Sequence, residues 1–325
     1  MPDNRRRSGG SDGSQGGQSG KKPAEDQRPI PAGGRLSERM RAPSPYPPLR
    51  TTLARAVLAL GASPWILVIG LLFAGGLWLS MVAAGLEVFP RTLVEALALP
   101  PVSSFYADWL IPASISGQSV GTLAVIVVIT VVRAVVWSVL AGMVLEAIEY
   151  GSVGLVGILQ GLRAFRTILA LMLASLFAIL ASILVLPAIL GTIGLLVFTF
   201  VLAGGIYLFP FVPAAAIRGN LAPAEAFRRS ARAARLPGSR HMVLAVLYFF
   251  VVLLLVAFVP GGSFVTANPS LAQWLWNLGG TVVQLVFLAA FCERWLAVEA
   301  IVPTGPAPRR QAQQRRQPAS RSRRR

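Results

Sequence analysis

Long runs of apolar residues dominate this sequence between residues 64 and 298, and charged side chains interrupt them rarely. A helix needs about 20 mainly apolar residues to cross the hydrocarbon core of a bilayer, so these runs exclude an ordinary soluble domain. We therefore predict an all-α, polytopic membrane helix bundle. Divided at proline, glycine and charged residues, the runs give six predicted spans, at residues 64–86, 119–145, 167–186, 190–212, 241–259 and 273–298.

Helix-breaking and interfacial residues support these boundaries. Pro187, Gly191 and Gly194 mark a hairpin between the third and fourth spans. Tryptophan favours the membrane–water boundary, so we expect Trp274 at one end of the sixth span and Trp295 at the opposite interface.

Two shorter stretches have the pattern of helices at the membrane surface. In residues 49–60, leucine and valine recur at helical spacing with arginines between them, which predicts a short interfacial helix ending at Gly61. In residues 151–166, glycines are spaced so that a helix can lie close against a neighbour, and GxxxG at Gly157 and Gly161 indicates helix packing. Arg163 and Arg166 place this stretch at the inner face.

The segment from Arg218 to Arg240 is the only one rich in charge between residues 58 and 303. Asn220 or Ala222 is a candidate cap, Pro223 suits the first helical position, and a Pro-Gly pair after Leu236 ends the predicted helix.

This predicted helix is amphipathic and basic. At 100° per residue three arginines, at positions 228, 232 and 235, share one stripe, and Phe227, Ala231 and Ala234 form the adjacent one. We expect the helix to lie flat on the membrane with its apolar stripe in the interface. The residues predicted to contact anionic headgroups, or a partner, are Arg228, Arg229, Arg232 and Arg235.

The net charge of +17 is informative only through the positions of the charged residues along the chain. Of the 30 Lys and Arg residues, 27 fall on one side of the six-span arrangement and one, Arg91, falls on the other. By the positive-inside rule this predicts a multi-pass membrane protein with both termini in the cytoplasm, and it makes nucleic acid an improbable main partner. Residues 1–48 and 303–325 have the composition of disordered basic tails around a membrane domain at residues 49–302.

No motif for a cofactor, a metal or a catalytic site stands out. His241 is the only histidine and is interpreted as an interfacial residue, while Cys292 lies in an apolar helix and is interpreted as a packing residue. Glu146, Glu149 and Glu293 form a candidate cation or proton site. Pairing with Arg166, Arg294 or the basic helix is the commoner alternative.

Arg133 is the ionisable residue nearest to the middle of a predicted span. An unpaired guanidinium at that depth costs at least about 2.5 to 3.5 kcal/mol, so we expect it to face the interior of the bundle. Gln284 lies at a matching depth in the sixth span and is the predicted partner. We interpret the pair as a polar clamp, and a transport site is the alternative.

The order of these features resembles the membrane domain of glycerophosphoryl diester phosphodiesterases and related six-span prokaryotic families of unknown function. The resemblance covers about residues 49–301 and rests on GASPW at residue 61, GLVGILQGLRAFR at residue 154 and FPFVPAAAIRGNLAPAEAFRRSARAAR at residue 209. In that family the esterase activity belongs to a separate soluble barrel. The resemblance therefore implies a membrane module and not phosphodiesterase activity. Together with the lack of organelle-targeting signals, it also implies a prokaryotic cytoplasmic membrane.

Two functional classes follow from the sequence. The first is a non-enzymatic membrane module that organises lipid, a partner protein or its own homo-oligomer, and the two amphipathic helices favour it. The second is a transporter or channel subunit that uses the bundle interior around Arg133. An intramembrane enzyme is a more remote alternative.

Overall fold

The computed structural model describes residues 43–83, 120–258 and 271–302, and within these ranges every regular element is an α-helix. The predicted all-helical class is therefore confirmed. The helices, numbered here in chain order, are α1 Leu49–Ala62, α2 Trp65–Ala83, α3 Val120–Tyr150, α4 Leu155–Arg163, α5 Phe165–Leu190, α6 Thr192–Leu208, α7 Val212–Gly219, α8 Pro223–Ala234, α9 Arg240–Ala257 and α10 Leu271–Val298.

Between two and four candidate membrane spans lie in the described part of the chain. Val131–Tyr150 of α3 and Trp274–Val298 of α10 are each long and apolar enough to cross a membrane. Two helix pairs pass the same test only together, α1 with α2, bent by 85°, and α4 with α5, bent by 52°. The arrangement of six spans stays a prediction, and the loop expected near residues 87–118 and most of both tails lie outside the described residues.

The predicted break between the third and fourth spans is confirmed. α5 ends at Leu190, Gly191 adopts a φ of +57°, and α6 begins at Thr192. Glycine is the residue that enters this left-handed region most readily, because it has no Cβ to clash with the backbone. Pro187 lies within the last turn of α5 and not in the turn itself.

α7 is a helix that the apolar pattern did not predict. The fourth span was expected to continue to residue 212, but α6 ends at Leu208 and a separate helix begins at Val212. The side chains of residues 212–217 are buried in the protein. Asn220, a candidate cap for the basic helix, instead ends α7 with a φ of 45°, and α8 begins at Pro223 as predicted.

α10 is the central helix of the described bundle and packs against α1, α2 and α3. Its residues 287–295 are all buried, including Cys292, which therefore has the packing environment expected from the sequence. α3 packs in turn against α4 and α5.

α3 and α4 approach each other until their backbones touch. A Cβ on Gly142 would lie 2.1 Å from the carbonyl oxygen of Gly157, and a Cβ on Gly161 would lie 2.2 Å from the carbonyl oxygen of Ser138. Neither distance is sterically allowed, so only glycine fits at these positions. The predicted role of Gly157 and Gly161 in close helix packing is confirmed.

Candidate functional site

Segments that the charge pattern assigns to one side of a membrane meet at one end of the bundle. The residues before α1 reach α8 through Tyr46, whose hydroxyl donates to the carbonyl oxygen of Ala233 at 2.6 Å. α1 reaches α10 through an ion pair of 2.8 Å between Arg55 and Glu293. We call this region the polar end, and it comprises α1, α4, α7, α8 and the adjoining ends of α3, α5, α9 and α10.

Arg218 of α7 joins three elements of the polar end. Its Nη1 lies 2.8 Å from Oε2 of Glu149 on α3, and its Nε lies 3.3 Å from Oε2 of Glu299, which follows α10. Partial burial lowers the pKa of Arg218, but the two carboxylates raise it by more, so the net shift is upward. Arg218 therefore stays charged and ties α7 to both partners.

The carboxylates considered as a cation site have structural partners instead. Glu149 and Glu293 pair with arginines, as the commoner interpretation expected, although those arginines belong to α7 and α1 and are not Arg166 or Arg294. Glu146 accepts hydrogen bonds of 2.9 Å from two backbone N–H groups at the start of α4. These groups have no partner inside the helix, so the carboxylate caps α4.

The apolar side of α8 packs on the protein, which corrects the expectation that it lies in the membrane interface. The ring of Phe227 meets the ring of Phe209 edge to face at a centroid distance of 5.2 Å. Ala226, Ala233 and Ala234 are buried. α8 contacts α5, α6 and α7, so the predicted apolar stripe exists but faces other helices.

The arginines of α8 occupy different environments. The side chain of Arg228 is 68% exposed and lies 3.6 Å from Glu225. Arg232 is half-buried and lies 3.4 Å from the same carboxylate. Arg235 is exposed. Arg228 and Arg235 therefore present positive charge outward at the polar end.

Arg229 is buried and points into the protein. Its guanidinium lies over the ring of Trp295, 5.3 Å from the centroid, and its Nη2 is 3.5 Å from the carbonyl oxygen of Glu299. Trp295 is fully buried, because its indole packs beneath α8. Its predicted position at the depth of a membrane interface stays a prediction. Arg229 therefore packs between α8 and α10, and its buried side chain is not accessible to the lipid headgroups that it was expected to contact.

His241, at the start of α9, is also buried, so protein side chains and not lipid headgroups surround it. The rings of Tyr46, Tyr207, Phe211 and Phe291 surround it at centroid distances of 4.8 to 6.3 Å. Its Nε2 lies 2.8 Å from the carbonyl oxygen of Tyr207. These rings come from distant segments of the chain, so no local sequence signal reveals the cluster.

Arg294 is buried beside the same cluster. Its Nη1 donates to the carbonyl oxygen of Arg240 at 2.5 Å, its Nε donates to Oγ1 of Thr52 at 3.4 Å, and its guanidinium lies 5.7 Å from the ring centroid of Tyr46. Within the described ranges no carboxylate pairs with Arg294. Neutral acceptors and a ring face hold this cation, and they connect α10 to α1 and α9.

α4 carries an exposed apolar face at the polar end. Gly157 and Gly161 face α3, while large apolar side chains on the other side of α4 are exposed, and these are Leu155, Val156, Leu159 and Leu162. Arg163 and Arg166 at the end of this helix and the start of the next are exposed as well. The spacing of the glycines in the sequence predicts the packed face of α4, whereas the spacing of its leucines does not by itself show that the opposite face is exposed.

Arg133 and Gln284 are both buried inside the bundle. Arg133 is 1% exposed, so its side chain faces the interior as predicted. Oε1 of Gln284 accepts a hydrogen bond of 3.0 Å from the hydroxyl of Tyr248 on α9. The pairing of Arg133 with Gln284 stays a prediction.

The chemistry available at the polar end is that of binding. Exposed guanidinium groups attract anions, and exposed leucine and valine side chains suit the boundary between headgroups and acyl chains. Within the described residues, no group of three His, Cys, Asp or Glu side chains is placed to hold a metal ion.

No protein-family model, curated protein or solved structure is significantly similar to this chain. The resemblance to the membrane domain of glycerophosphoryl diester phosphodiesterases therefore stays a prediction. The functional argument rests on the geometry of the polar end.

Proposed function

We propose that this protein is a six-span, non-enzymatic module of a prokaryotic cytoplasmic membrane that organises anionic lipid at its polar end. The polar end would face the cytoplasm, together with both termini. The observation that carries the proposal is the exposed apolar face of α4 beside exposed arginines at the same end of the bundle.

The meeting of distant segments at one end supports the proposed topology. Contacts through Tyr46, Arg55 and Arg218 bring together the N-terminal lead-in, the end of α3, the basic segment and the end of α10. An even number of crossings separates each of these segments from the next in the six-span arrangement. An odd number between any two would send them to opposite ends of the bundle.

The arrangement of charge supports lipid as the ligand. A basic residue near an anionic leaflet contributes about 1 kcal/mol of attraction. Arg163, Arg166, Arg228 and Arg235 are exposed at the polar end, whereas the carboxylates there are engaged by arginines or backbone N–H groups. Of these four arginines only Arg228 has a carboxylate partner among the described residues, so the exposed surface around the other three is basic.

A reconstitution experiment tests this function. The purified full chain would be incorporated into vesicles of phosphatidylcholine alone and into vesicles with an equal part of phosphatidylglycerol. We expect native mass spectrometry of the solubilised protein to show phosphatidylglycerol enriched over its share of the vesicle. Bound lipid that matches the vesicle composition would contradict the proposal.

A transporter or channel subunit is the second candidate, and the burial of Arg133 in α3 favours it. Ionisable residues inside a bundle frequently mark pathways for ions or polar solutes. A flux assay on the same vesicles separates the two functions. Solute flux that depends on Arg133 would favour transport, and lipid enrichment without flux would favour the module.

The predicted kinship with the membrane domain of glycerophosphoryl diester phosphodiesterases is compatible with this proposal. It would add no catalytic role, since the catalytic barrel of that family is a separate domain.

A further inference from the structure

A cavity of about 210 Å³ opens at the polar end between α4 and α7. We propose that it binds the phosphate group of a membrane lipid headgroup. The proposal rests on the lipid-organising function above and assigns that function a specific site. The residues that line the cavity are Gln160, Arg163, Ile217, Arg218 and Asn220.

The lining offers several hydrogen-bond donors that the protein leaves available. Across the described ranges, no hydrogen bond or ion pair engages the side chains of Gln160, Arg163 or Asn220. Glu149 and Glu299 engage Nη1 and Nε of Arg218, which fixes its orientation and leaves Nη2. Guanidinium groups bind phosphate through paired N–H donors, so two of them at one cavity suit this ligand.

The balance of charge makes Arg163 the decisive residue. Two carboxylates largely compensate Arg218. Arg163 and Arg218 lie in the last turns of α4 and α7, where the helix ends carry partial negative charge. An anion in the cavity is therefore held mainly by the uncompensated charge of Arg163, and Glu149 opposes its binding.

The neighbours of the cavity favour a lipid over a soluble phosphate. Leu159 and Leu162 are exposed on α4, and each is one residue from a lining residue, about 100° around the helix. A phosphate at Arg163 thus lies beside an apolar surface that acyl chains can cover. A soluble anion would gain nothing from this surface.

Two matched variants test the site. Arg163→Gln and Arg166→Gln each remove one exposed arginine from the polar end, but only Arg163 lines the cavity. The measurement is isothermal titration of the full chain in detergent with dioctanoyl phosphatidylglycerol. Charge-assisted hydrogen bonds to phosphate are strong, so we expect Arg163→Gln to weaken binding by about tenfold or more and Arg166→Gln by less than about twofold.

A third variant is expected to act in the opposite direction. Glu149→Gln removes a carboxylate that competes with phosphate for Arg218, while Glu299 keeps that arginine in place. We expect binding of dioctanoyl phosphatidylglycerol to become severalfold tighter. A partly unfolded protein does not produce tighter binding, so this sign separates loss of the site from loss of the fold.

Each other outcome has a distinct meaning. Equal weakening by Arg163→Gln and Arg166→Gln would reveal general electrostatic attraction, which overturns the cavity site and leaves the proposed function standing. Inorganic phosphate that binds as tightly as the lipid, with the same dependence on Arg163, would overturn the lipid assignment. If the wild-type protein does not prefer phosphatidylglycerol over phosphatidylcholine, the proposed function itself is overturned.

Discussion

The hydroxyl of Tyr46 donates a hydrogen bond of 2.6 Å to the carbonyl oxygen of Ala233, although 187 residues separate the two in sequence. The carbonyl oxygen of Tyr46 accepts a bond of 2.7 Å from Nη1 of Arg240. Burial raises the pKa of the Tyr46 phenol well above its ordinary value, so the hydroxyl remains a donor. The chain before α1 is therefore fixed to the segment that contains α8 and the start of α9.

Replacement of Tyr46 by phenylalanine should destabilise the protein. The substitution keeps the ring but leaves the buried carbonyl oxygen of Ala233 without this donor, which costs about 1 kcal/mol or more. Thermal unfolding in detergent should show a lower midpoint for Tyr46→Phe. Tyr150→Phe is the control, because Tyr150 is exposed, and equal midpoints for the two variants would contradict the role of the bond.

The contact between α3 and α4 predicts a second effect on stability. A Cβ at Gly161 would lie 2.2 Å from a backbone carbonyl oxygen of α3, so Gly161→Ala should force the helices apart. Overpacking of this kind typically costs about 1 to 3 kcal/mol. Gly204→Ala in α6 is the matched control, because a Cβ there has no neighbour within 4 Å.

Thermal unfolding of the two alanine variants measures the difference. Alanine is the better helix former by about 1 kcal/mol, so Gly204→Ala should be neutral or slightly stabilising. If Gly161→Ala behaves in the same way, the close approach of α3 and α4 is wrong.

Local features of the sequence predict where helices begin and end. Pro223 occupies the first position of α8, and Gly191 separates α5 from α6, because proline and glycine act on the backbone at their own positions. The pattern of apolar residues did not predict α7 as a separate helix. Its buried residues 212–217 are as apolar as a membrane span, so hydropathy did not separate them from the helix before.

The sequence does not reveal what covers an apolar face. Periodicity placed Phe227 and Ala234 on one side of α8, but lipid and protein interior are both apolar, so this pattern fits either neighbour. The burial of His241 and Trp295 was not predicted for a related reason. Long-range packing of aromatic rings surrounds both side chains, and no local sequence pattern reveals it.

The environments of the arginines on α8 predict two kinds of variant. Arg228→Gln and Arg235→Gln should each weaken binding of phosphatidylglycerol by about 1 kcal/mol and leave stability unchanged, because both side chains are exposed. Arg229→Gln should instead lower the unfolding temperature, because it removes a buried cation from the face of Trp295. Titration with dioctanoyl phosphatidylglycerol in detergent and thermal unfolding of all three variants measure the two effects. A lower unfolding temperature for Arg228→Gln would contradict this distinction between exposed arginines that bind lipid and a buried arginine that stabilises the fold.

The proposed topology predicts the sides from which single cysteines are labelled. Cysteines at Ser152, which is exposed between α3 and α4, and at Ser320 should react with an impermeant maleimide from the same side. A cysteine at Ser263, outside the described residues, should react from the opposite side. The native Cys292 is buried and should give little background. Labelling of Ser152 and Ser263 from one side would rule out the six-span arrangement.

The last prediction concerns Arg133 and Gln284, both buried inside the bundle. Oε1 of Gln284 already accepts a hydrogen bond of 3.0 Å from Tyr248, and an amide oxygen has two lone pairs. A second bond, from the guanidinium of Arg133, is therefore chemically allowed. In the predicted clamp, one glutamine would join α3, α9 and α10.

Substitution by leucine tests the clamp. Gln284→Leu should strand the charge of Arg133 and destabilise the protein by about 3 kcal/mol or more, while Arg133→Leu should leave a folded protein, because a neutral amide costs less to bury than a charge. When Arg133 is already leucine, Gln284→Leu should lower the free energy of unfolding much less than in the wild-type protein. Tyr248→Phe measures the part of this effect that comes from the hydrogen bond between Tyr248 and Gln284. Thermal unfolding of this double-mutant cycle gives the coupling energy between Arg133 and Gln284. If the two leucine substitutions change the free energy of unfolding additively, Arg133 and Gln284 do not interact. The acceptor for Arg133 would then lie elsewhere in the bundle.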